Sequence, residues 1–486
     1  MPLHLYYMIK NKLAPISFAI RNILFGFTVF IYNSFVVYSQ GDSVDAFIRR
    51  NMESLHIPGA SIVVVKQGKI VKSGGYGLSN LELSVPATTK TVYEIGSMTK
   101  QFTSMSIMML VEDGKLNLND KITRFFPNAP AHWNNITVRH LLTHTSGIQN
   151  HVAVPGYLGV FKSNLFHEGF PDKKDILKKF FKLSQEFKPG ETWAYDNTGY
   201  YLLGLIIERI SQQSYWTFLE KRIFKPLGMS HTRNTDTKEL VPNRAAGYIW
   251  LDSSYENQTI LWPFVGFSAG SLMSTLEDLV LWDAALYTEK LVKKTTLEKM
   301  WQATKGTDGT LLPYNCGFGW FIDTYHGHRI IQHSGGTLGF SSVIYRFPDD
   351  TLTLIILTNH ADKMIDQLAL DIAGMYILAL KRPMAIKDPS PTVTTRLKTV
   401  FLQLLNGYYN PDEFTPAMNT FLRTSTSKSL WQWFSSFGKQ GTFQLADYEL
   451  KEGIATFRYR VQLGENVYLF TISLRKDGKI VQIYFS

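Results

Sequence analysis

Apolar and polar residues alternate along the first 380 positions in a way that separates strand-rich ends from a mainly helical middle. Short apolar-rich runs typical of strands occur on both sides of this middle, at 60–65, 69–75, 328–331, 340–347 and 352–357. Helical spacing marks 45–55 and 364–378, and helices dominate 97–287. The pattern predicts one antiparallel sheet of early and late strands, flanked by terminal helices, with a helical region inserted between its halves.

The pattern changes after residue 380. Pro383, Pro389 and Pro391 fall within a short polar stretch, which predicts an exposed linker at 381–394. Helical spacing follows in two segments and strand alternation in four, at 395–405, 416–422, 443–450, 454–463, 467–474 and 480–485. Turn residues separate the four strands. We therefore expect a small α+β domain at 395–486 that carries no catalytic constellation and acts as a packing or substrate-gating module.

The first 39 residues differ from the rest of the chain. Three basic residues precede an apolar run at 23–37, and a small-residue cleavage point follows at Ser39. This order predicts a secretory signal peptide at 1–39 and an exported mature protein, periplasmic or extracellular. The run is short for a membrane span. An uncleaved segment that anchors the protein to a membrane, and a start at Met8, stay open as alternatives.

Composition narrows the class of protein. The chain has 486 residues, 45% of them hydrophobic and 19% charged, enough to bury large cores in two domains. A single cysteine, Cys316, excludes an intramolecular disulfide framework and a cysteine-based zinc site. The formal charge is +10, and the lysines clustered at 173–182 are typical of a solvated helix face. No nucleic-acid-binding signature is present, so no such partner is expected. The oligomeric state stays open.

The first candidate chemistry is Ser-x-x-Lys, formed by Ser97 and Lys100 immediately before an apolar helical run at 101–112. Residues three apart on a helix share one face, so the hydroxyl lies beside the amine. The start of a helix also presents free N–H groups to an anion. A serine there can attack a carbonyl group, and a lysine buried behind it can lose its proton near neutral pH.

Two further segments follow in order. Tyr195-x-Asn197 comes after a Pro-Gly turn and precedes a new helix, and His333-Ser334-Gly335-Gly336 lies between two predicted strands. This sequence of motifs resembles the three-motif signature of penicillin-recognising serine hydrolases. It is most similar to the class C β-lactamase branch, which includes DD-peptidase, D-aminopeptidase and esterase relatives. The resemblance spans about 45–380, including the family-like segments 141–147 and 226–229.

The resemblance implies a fold and a set of roles. The fold is α/β plus α, an antiparallel sheet flanked by helices with an inserted all-helical region, occupying a hydrolase domain at 40–380. Ser97 is the acylated nucleophile and Lys100 its proton partner, while Asn197 orients Lys100 and binds substrate by a hydrogen bond to its amide or ester group. Tyr195 shares the role of general base with Lys100. A phenol has a pKa near about 10, so this role requires nearby cations to lower it, and Lys100 and His333 are the candidates. No metal and no cofactor are implied.

The third motif departs from the β-lactamase pattern. His333 stands where β-lactamases carry lysine, and a histidine is mostly neutral at pH 7. By resemblance, His333 and Ser334 bind substrate, and the N–H of Gly336 joins that of Ser97 in an oxyanion hole. Histidine at this position resembles the esterase and aminopeptidase relatives, so the expected partner is a small-molecule or peptide substrate, an ester or an amide, including D-amino-acid peptides. A β-lactamase or DD-carboxypeptidase, and a penicillin-fold sensor that acylates slowly, are the alternatives.

A second serine competes with Ser97 on motif grounds. Ser268 lies in a formal Gly-x-Ser-x-Gly, followed by Asp283 and by His333 or His360 in the order of an α/β-hydrolase triad. That fold needs alternating strands and helices on both sides of the serine, and the preceding residues read mainly as helices and loops. A metal site at His140 and His144, four residues apart, lacks a third ligand of matching spacing, so we expect a structural turn at 143–147.

Overall fold

A computed structural model describes residues 40–154, 172–235, 239–258, 266–361, 365–381, 385–438, 440–464 and 466–485. The predicted leader at 1–39, the apolar run at 261–265 before Ser268 and part of the predicted linker lie outside these ranges. Within them, the helices are too short or too polar to cross a membrane.

A seven-stranded antiparallel sheet forms the centre of the molecule, in the order β3-β2-β1-β12-β11-β10-β9. Its strands are β1 Gly59–Lys66, β2 Lys69–Asn80, β3 Val85–Pro86, β9 Phe321–Tyr325, β10 His328–Thr337, β11 Phe340–Phe347 and β12 Leu352–Thr358. The first strand pairs with the last, with Ile62 opposite Ile356. The predicted pairing of early and late strands is therefore confirmed.

The central strands β1, β11 and β12 are buried along almost their whole length because both faces of the sheet are covered. Ile62 and Val64 face the terminal helices α1 Gln40–Ser54 and α10 Ile365–Tyr376, whereas Val63 faces the inserted helical region. Alternate residues of one strand thus enter two different cores. This double burial explains why β1 reads as a continuous hydrophobic run.

The inserted region is built around one helix that is buried on every side. Its helices are α2 Thr99–Glu112, α3 Val138–Leu142, α4 Lys173–Phe180, α5 Asn197–Ser211, α6 Tyr215–Leu219, α7 Lys225–Leu227, α8 Leu276–Ala285 and α9 Lys294–Met300. Short strands accompany them: β4 Tyr93–Glu94, β5 Arg233–Asn234, β6 Tyr248–Leu251, β7 Ser254–Asn257 and β8 Leu272–Ser274. The first twelve residues of α2 are buried, so the helix that follows Ser97 is the axis of this core.

The C-terminal residues form the predicted α+β unit. It contains helices α11 Pro391–Leu405, α12 Pro416–Arg423 and α13 Ser425–Ser435 and an antiparallel sheet of strands β13 Gln440–Lys451, β14 Ile454–Leu463, β15 Asn466–Leu474 and β16 Ile480–Phe485. The first helix begins at Pro391 rather than at residue 395, because proline fits the first turn of a helix. The predicted linker is also less free than expected, since the Ile386 nitrogen donates to the Leu445 carbonyl oxygen at 2.9 Å.

Candidate active site

Ser97 lies in a 3₁₀ turn, Gly96–Met98, that leads directly into α2. The turn begins with φ of +48° at Gly96, a left-handed conformation that suits glycine. A Cβ at that position would lie 2.7 Å from the Gly336 nitrogen, so the strand end and the turn are in direct contact. Met98 is buried whereas Ser97 is partly exposed. The hydroxyl therefore faces solvent from a turn that the core fixes.

The end of β10 completes this corner. A Cβ on Gly335 would lie 2.0 Å from the Ile95 carbonyl oxygen and 2.9 Å from the Ser97 nitrogen, so no larger residue fits. Ser342 Oγ on the neighbouring strand donates to the same Ile95 oxygen at 2.9 Å. Gly336, by contrast, has open space where a side chain would project. The backbone at Gly335 and Gly336 therefore lies against the turn that carries Ser97, and the space beside Gly336 is open.

Lys100 is fully buried and its amine faces the serine. Its Nζ donates to Ser97 Oγ at 3.1 Å, to Asn197 Oδ1 at 2.8 Å and to the Ala269 carbonyl oxygen at 2.7 Å. Burial lowers the pKa of Lys100 to about 7, although the nearby Asp196 carboxylate favours the charged amine. Near neutral pH a large fraction of Lys100 is therefore an uncharged base within hydrogen-bond distance of the hydroxyl.

Tyr195 lies close to Ser97 and Lys100, but the prediction that its pKa is lowered was wrong. The Lys100 Nζ lies 4.7 Å from the centroid of its ring, and its hydroxyl is close enough to Ser97 to interact with it. Burial raises the pKa of the phenol above its ordinary value, and the interaction with Ser97 only partly opposes this. Neither expected group supplies a permanent cation, because burial lowers the pKa of Lys100 to about 7 and leaves His333 neutral. In this environment Tyr195 is a neutral hydroxyl that can donate or relay a proton.

Asn197 owes its position to the cap of α5. The Asp196 carboxylate accepts hydrogen bonds from the Thr198 nitrogen at 2.7 Å and from the Gly199 nitrogen at 3.0 Å, which satisfies the free donors at the start of the helix. Burial raises the pKa of Asp196 to about 7, and these hydrogen bonds oppose the rise. Asn197 Nδ2 in turn donates to Asn150 Oδ1 at 3.4 Å. The amide oxygen of Asn197 is thereby aimed at the amine of Lys100.

His333 lies on β10 with its ring buried. Its Nδ1 donates to the Ser334 carbonyl oxygen at 2.6 Å, so the proton of the neutral ring is on Nδ1. Burial lowers the pKa of His333 to about 3, and the charge of Lys100 acts in the same direction. The Phe321 ring packs against it at 5.2 Å between centroids. His333 is thus a neutral group, and Ser334 beside it is partly exposed.

A family model described as Beta-lactamase matches residues 44–373. The chain belongs to the beta-lactamase family. Penicillin-binding protein 4* of Bacillus subtilis is 32% identical over an alignment of 333 residues that covers 65% of this chain and 72% of that protein. Protein flp of Staphylococcus aureus is 29% identical over an alignment of 372 residues that covers 74% of this chain and 72% of that protein.

Solved structures of this family share the fold. The octameric penicillin-binding protein homologue from Pyrococcus abyssi is 25% identical, with a TM-score of 0.59, covering 90% of this chain and 94% of that one. A penicillin-binding protein from Bacillus halodurans is also 25% identical, with a TM-score of 0.59, covering 67% of this chain and 99% of that one. Beta-lactamase family members are generally serine acyl-enzyme hydrolases.

The competing serine does not form a triad in this beta-lactamase fold. Ser268 is fully buried and its Oγ donates to the Tyr200 carbonyl oxygen at 2.9 Å. Asp283 is paired with Arg346, whose Nε lies 2.7 Å from the Asp283 carboxylate. A fully buried hydroxyl cannot reach a substrate, so the Gly-x-Ser-x-Gly match is structural.

Sequence reasoning missed the residues that support the site from behind. His144 Nδ1 accepts a hydrogen bond from the Asp196 nitrogen at 3.0 Å, and its ring packs against that of Tyr195 with 4.6 Å between centroids. An aspartate immediately before a helical run is an N-cap signal that could have identified Asp196. Neither Asn150 nor His144 carries a comparable signal. Across the described ranges, the His, Cys, Asp and Glu side chains form no group of three that could hold a metal ion.

Proposed function

We propose that this protein is a serine hydrolase that forms an acyl-enzyme on Ser97. The observation that carries the proposal is the buried Lys100 amine, 3.1 Å from Ser97 Oγ, with its pKa lowered to about 7. Neutral Lys100 takes the Ser97 proton as Oγ forms a bond with the substrate carbonyl carbon. The N–H groups of Ser97 and Gly336 hold the resulting oxyanion.

The second half of the cycle uses the same groups. The tetrahedral intermediate collapses when the bond to the leaving group breaks, and protonated Lys100 returns its proton to the leaving oxygen or nitrogen, directly or through the Tyr195 hydroxyl. A water molecule then attacks the acyl carbon and loses its proton to the same amine. Cleavage of the acyl bond regenerates the Ser97 hydroxyl. Each half-reaction therefore returns Lys100 to its neutral form.

We propose neutral esters or amides, including D-amino-acid peptides, as the substrate class. A carboxylate-bearing substrate needs a cation at the head of the third motif, and His333 stays neutral there because burial lowers its pKa to about 3. We propose in addition that the protein acts outside the cytoplasm, on the basis of the leader pattern at 1–39. The relatives named as penicillin-binding proteins keep a penicillin-acylated sensor or DD-carboxypeptidase as the second candidate.

The test is hydrolysis of p-nitrophenyl butyrate and of a chromogenic cephalosporin by residues 40–486, with Ser97→Ala in parallel. We expect ester turnover that falls by about 10³-fold or more in the variant. Preferred turnover of the cephalosporin would overturn the substrate class. A burst that stops after one equivalent would favour the sensor. Unchanged activity in Ser97→Ala would remove the nucleophile assignment.

A further inference from the structure

An aromatic ring lies between the second and third motifs. Phe321, the first residue of β9, stacks on Tyr195 with 6.5 Å between ring centroids and an interplanar angle of 20°. Its ring is also 5.2 Å from that of His333, which is buried beneath it. Phe321 is itself partly exposed. A partly exposed apolar ring is therefore in contact with both Tyr195 of the second motif and the histidine that replaces the family's lysine in the third.

The loop before Phe321 is tightly held against the catalytic helix. The Ile322 nitrogen donates to the Asn315 carbonyl oxygen at 2.8 Å, and the Gly317 nitrogen donates to the Trp320 carbonyl oxygen at 2.8 Å. A Cβ at Gly319 would lie 2.6 Å from the Lys100 carbonyl oxygen, so the loop rests directly on α2. Movement of this loop would consequently displace Phe321 relative to Lys100.

The C-terminal domain clamps the same loop on both sides of Phe321. Gln482 Nε2 on β16 donates to Asn315 Oδ1 at 2.9 Å and to the Leu312 carbonyl oxygen at 3.0 Å. The Tyr484 hydroxyl, two residues later on the same strand, donates to Asp323 Oδ1 at 3.0 Å. Residues two apart on a strand face the same side. One face of β16 thus fixes the residues before and after Phe321.

Aromatic contacts reinforce the clamp. Tyr314 stacks on Trp193 with 4.2 Å between ring centroids. The rings of Phe421 and Tyr484 lie 5.8 and 5.9 Å from the Tyr314 ring. Trp193 precedes Tyr195 by two residues and also contacts Phe321 at 6.1 Å. An uninterrupted set of rings therefore connects the C-terminal domain with both motifs.

We propose that Phe321 is a specificity-determining residue that selects substrates with an apolar substituent beside the reacting carbonyl, and that Gln482 and Tyr484 are positioning residues that hold it. The inference rests on the proposed ester or amide hydrolysis. It gives the C-terminal domain a definite role, because that domain acts on specificity through the position of one ring. Phe321 selects by direct contact, because burying an apolar substituent of the substrate against a partly exposed phenyl ring removes apolar surface from water and so favours binding.

The first readout is selectivity. We expect Phe321→Ala to reduce the ratio of kcat/KM for p-nitrophenyl butyrate over acetate about tenfold, mainly through KM, as the loss of one to two buried methylene contacts predicts. A series of butyrate esters with alkyl and aryl alcohols covers the leaving-group side. Phe321→Leu, which keeps an apolar wall, should retain most of the selectivity. Unchanged ratios in both series would overturn the proposal.

The positioning role has its own control. Tyr484→Phe should lower selectivity in the same direction, and the matched hydroxyl deletion Tyr459→Phe should not. The Tyr459 hydroxyl bonds Thr394 within the C-terminal domain, away from the loop that carries Phe321. In the Phe321→Ala background Tyr484→Phe should have no further effect on selectivity, because the two residues act in series. Additive effects would show that Tyr484 acts independently of Phe321.

A second readout does not depend on hydrolysis. In Ser97→Ala protein, the His333 ring should not titrate between pH 5 and 8 by NMR, whereas Phe321→Ala should introduce a titration in that range as water reaches the ring. If Phe321→Ala introduces the His333 titration but the protein hydrolyses no ester, the placement of Phe321 stands and the proposed function is rejected. If the protein hydrolyses esters but Phe321→Ala changes neither the His333 titration nor the selectivity, the proposed function stands and the role of Phe321 is rejected.

Discussion

At the scale of single residues, the protonation state of Lys100 decides when the serine can react. Burial lowers the pKa of this amine to about 7, so below that pH the nitrogen holds a proton and has no lone pair for the Ser97 hydroxyl. We expect kcat/KM for p-nitrophenyl butyrate to rise through a midpoint near pH 7 and to level off above pH 8. Lys100→Arg, a permanent cation, should be inactive throughout.

The Ser97→Ala protein supplies the blank for spontaneous ester hydrolysis in this profile. A flat profile between pH 6 and 8 would contradict a lysine base. A midpoint close to pH 3, where His333 titrates, would point to the histidine instead.

The order of the motifs and their family resemblance predicted which residues meet at the site, and also a lysine that can lose its proton near pH 7 and a neutral histidine, but not the protonation state of Tyr195. More than two hundred positions separate Ser97 from His333 in the sequence. The order and chemistry of the three motifs nevertheless indicated that these residues, with Lys100 and Asn197, form one site. The charge of each depends on its depth in the fold, which spacing does not contain. Tyr195 is an example: its expected role as a base requires a lowered phenol pKa, whereas burial raises that pKa.

At the scale of elements, the cap of α5 determines where Asn197 points. Asp196→Ala removes the acceptor for the Thr198 and Gly199 nitrogens, and we expect the free energy of unfolding to fall by about 1 kcal/mol. Asp196→Asn keeps an acceptor oxygen and should retain most of the stability. Chemical denaturation of both variants measures the difference.

The same pair of variants reports on charge. The Asp196 carboxylate favours protonated Lys100, so Asp196→Asn should move the acidic limb of the rate profile to lower pH. Equal destabilisation by alanine and asparagine, with no movement of that limb, would exclude both the cap and the charge as the role of Asp196.

Elements with strong local periodicity were predicted well, and those that depend on tertiary partners were not. The continuous apolar run of β1 indicated a strand from sequence alone. The short edge strand β9, Phe321–Tyr325, was missed because its residues are only half-buried and its pairing comes from β10. Helix α13, Ser425–Ser435, was also missed, although Thr424 caps it. Polar and aromatic residues mixed in this stretch conceal its helical face.

At the scale of the whole molecule, the two domains share a core. Trp193, Leu312 and Cys316 belong to the hydrolase domain, yet they are buried within the hydrophobic cluster of the C-terminal domain. Arg458 on β14 also donates to the Thr324 carbonyl oxygen at 2.7 Å. Domain boundaries read from composition separate the segments along the chain, but they cannot reveal contacts between side chains distant in sequence.

This shared core predicts the result of removing the C-terminal domain. A chain ending at residue 380 would expose Trp193, Leu312 and Cys316, which are 3%, 1% and 2% exposed in the intact protein. Burial of each large apolar side chain contributes about 1.5–3 kcal/mol, and a folded domain has only about 5–15 kcal/mol of net stability. We therefore expect the truncated chain to aggregate or to melt well below the intact protein.

Co-expression of residues 385–486 as a separate chain provides the control, because it restores the partners without restoring the connection. Soluble yield, the midpoint of thermal unfolding and binding of a hydrophobic dye should move back toward the intact values in that sample. A truncated chain that is soluble, melts at the same temperature and keeps the same ester selectivity would show that the contacts at Trp193 and Leu312 are dispensable, and that the C-terminal domain neither stabilises nor tunes the site.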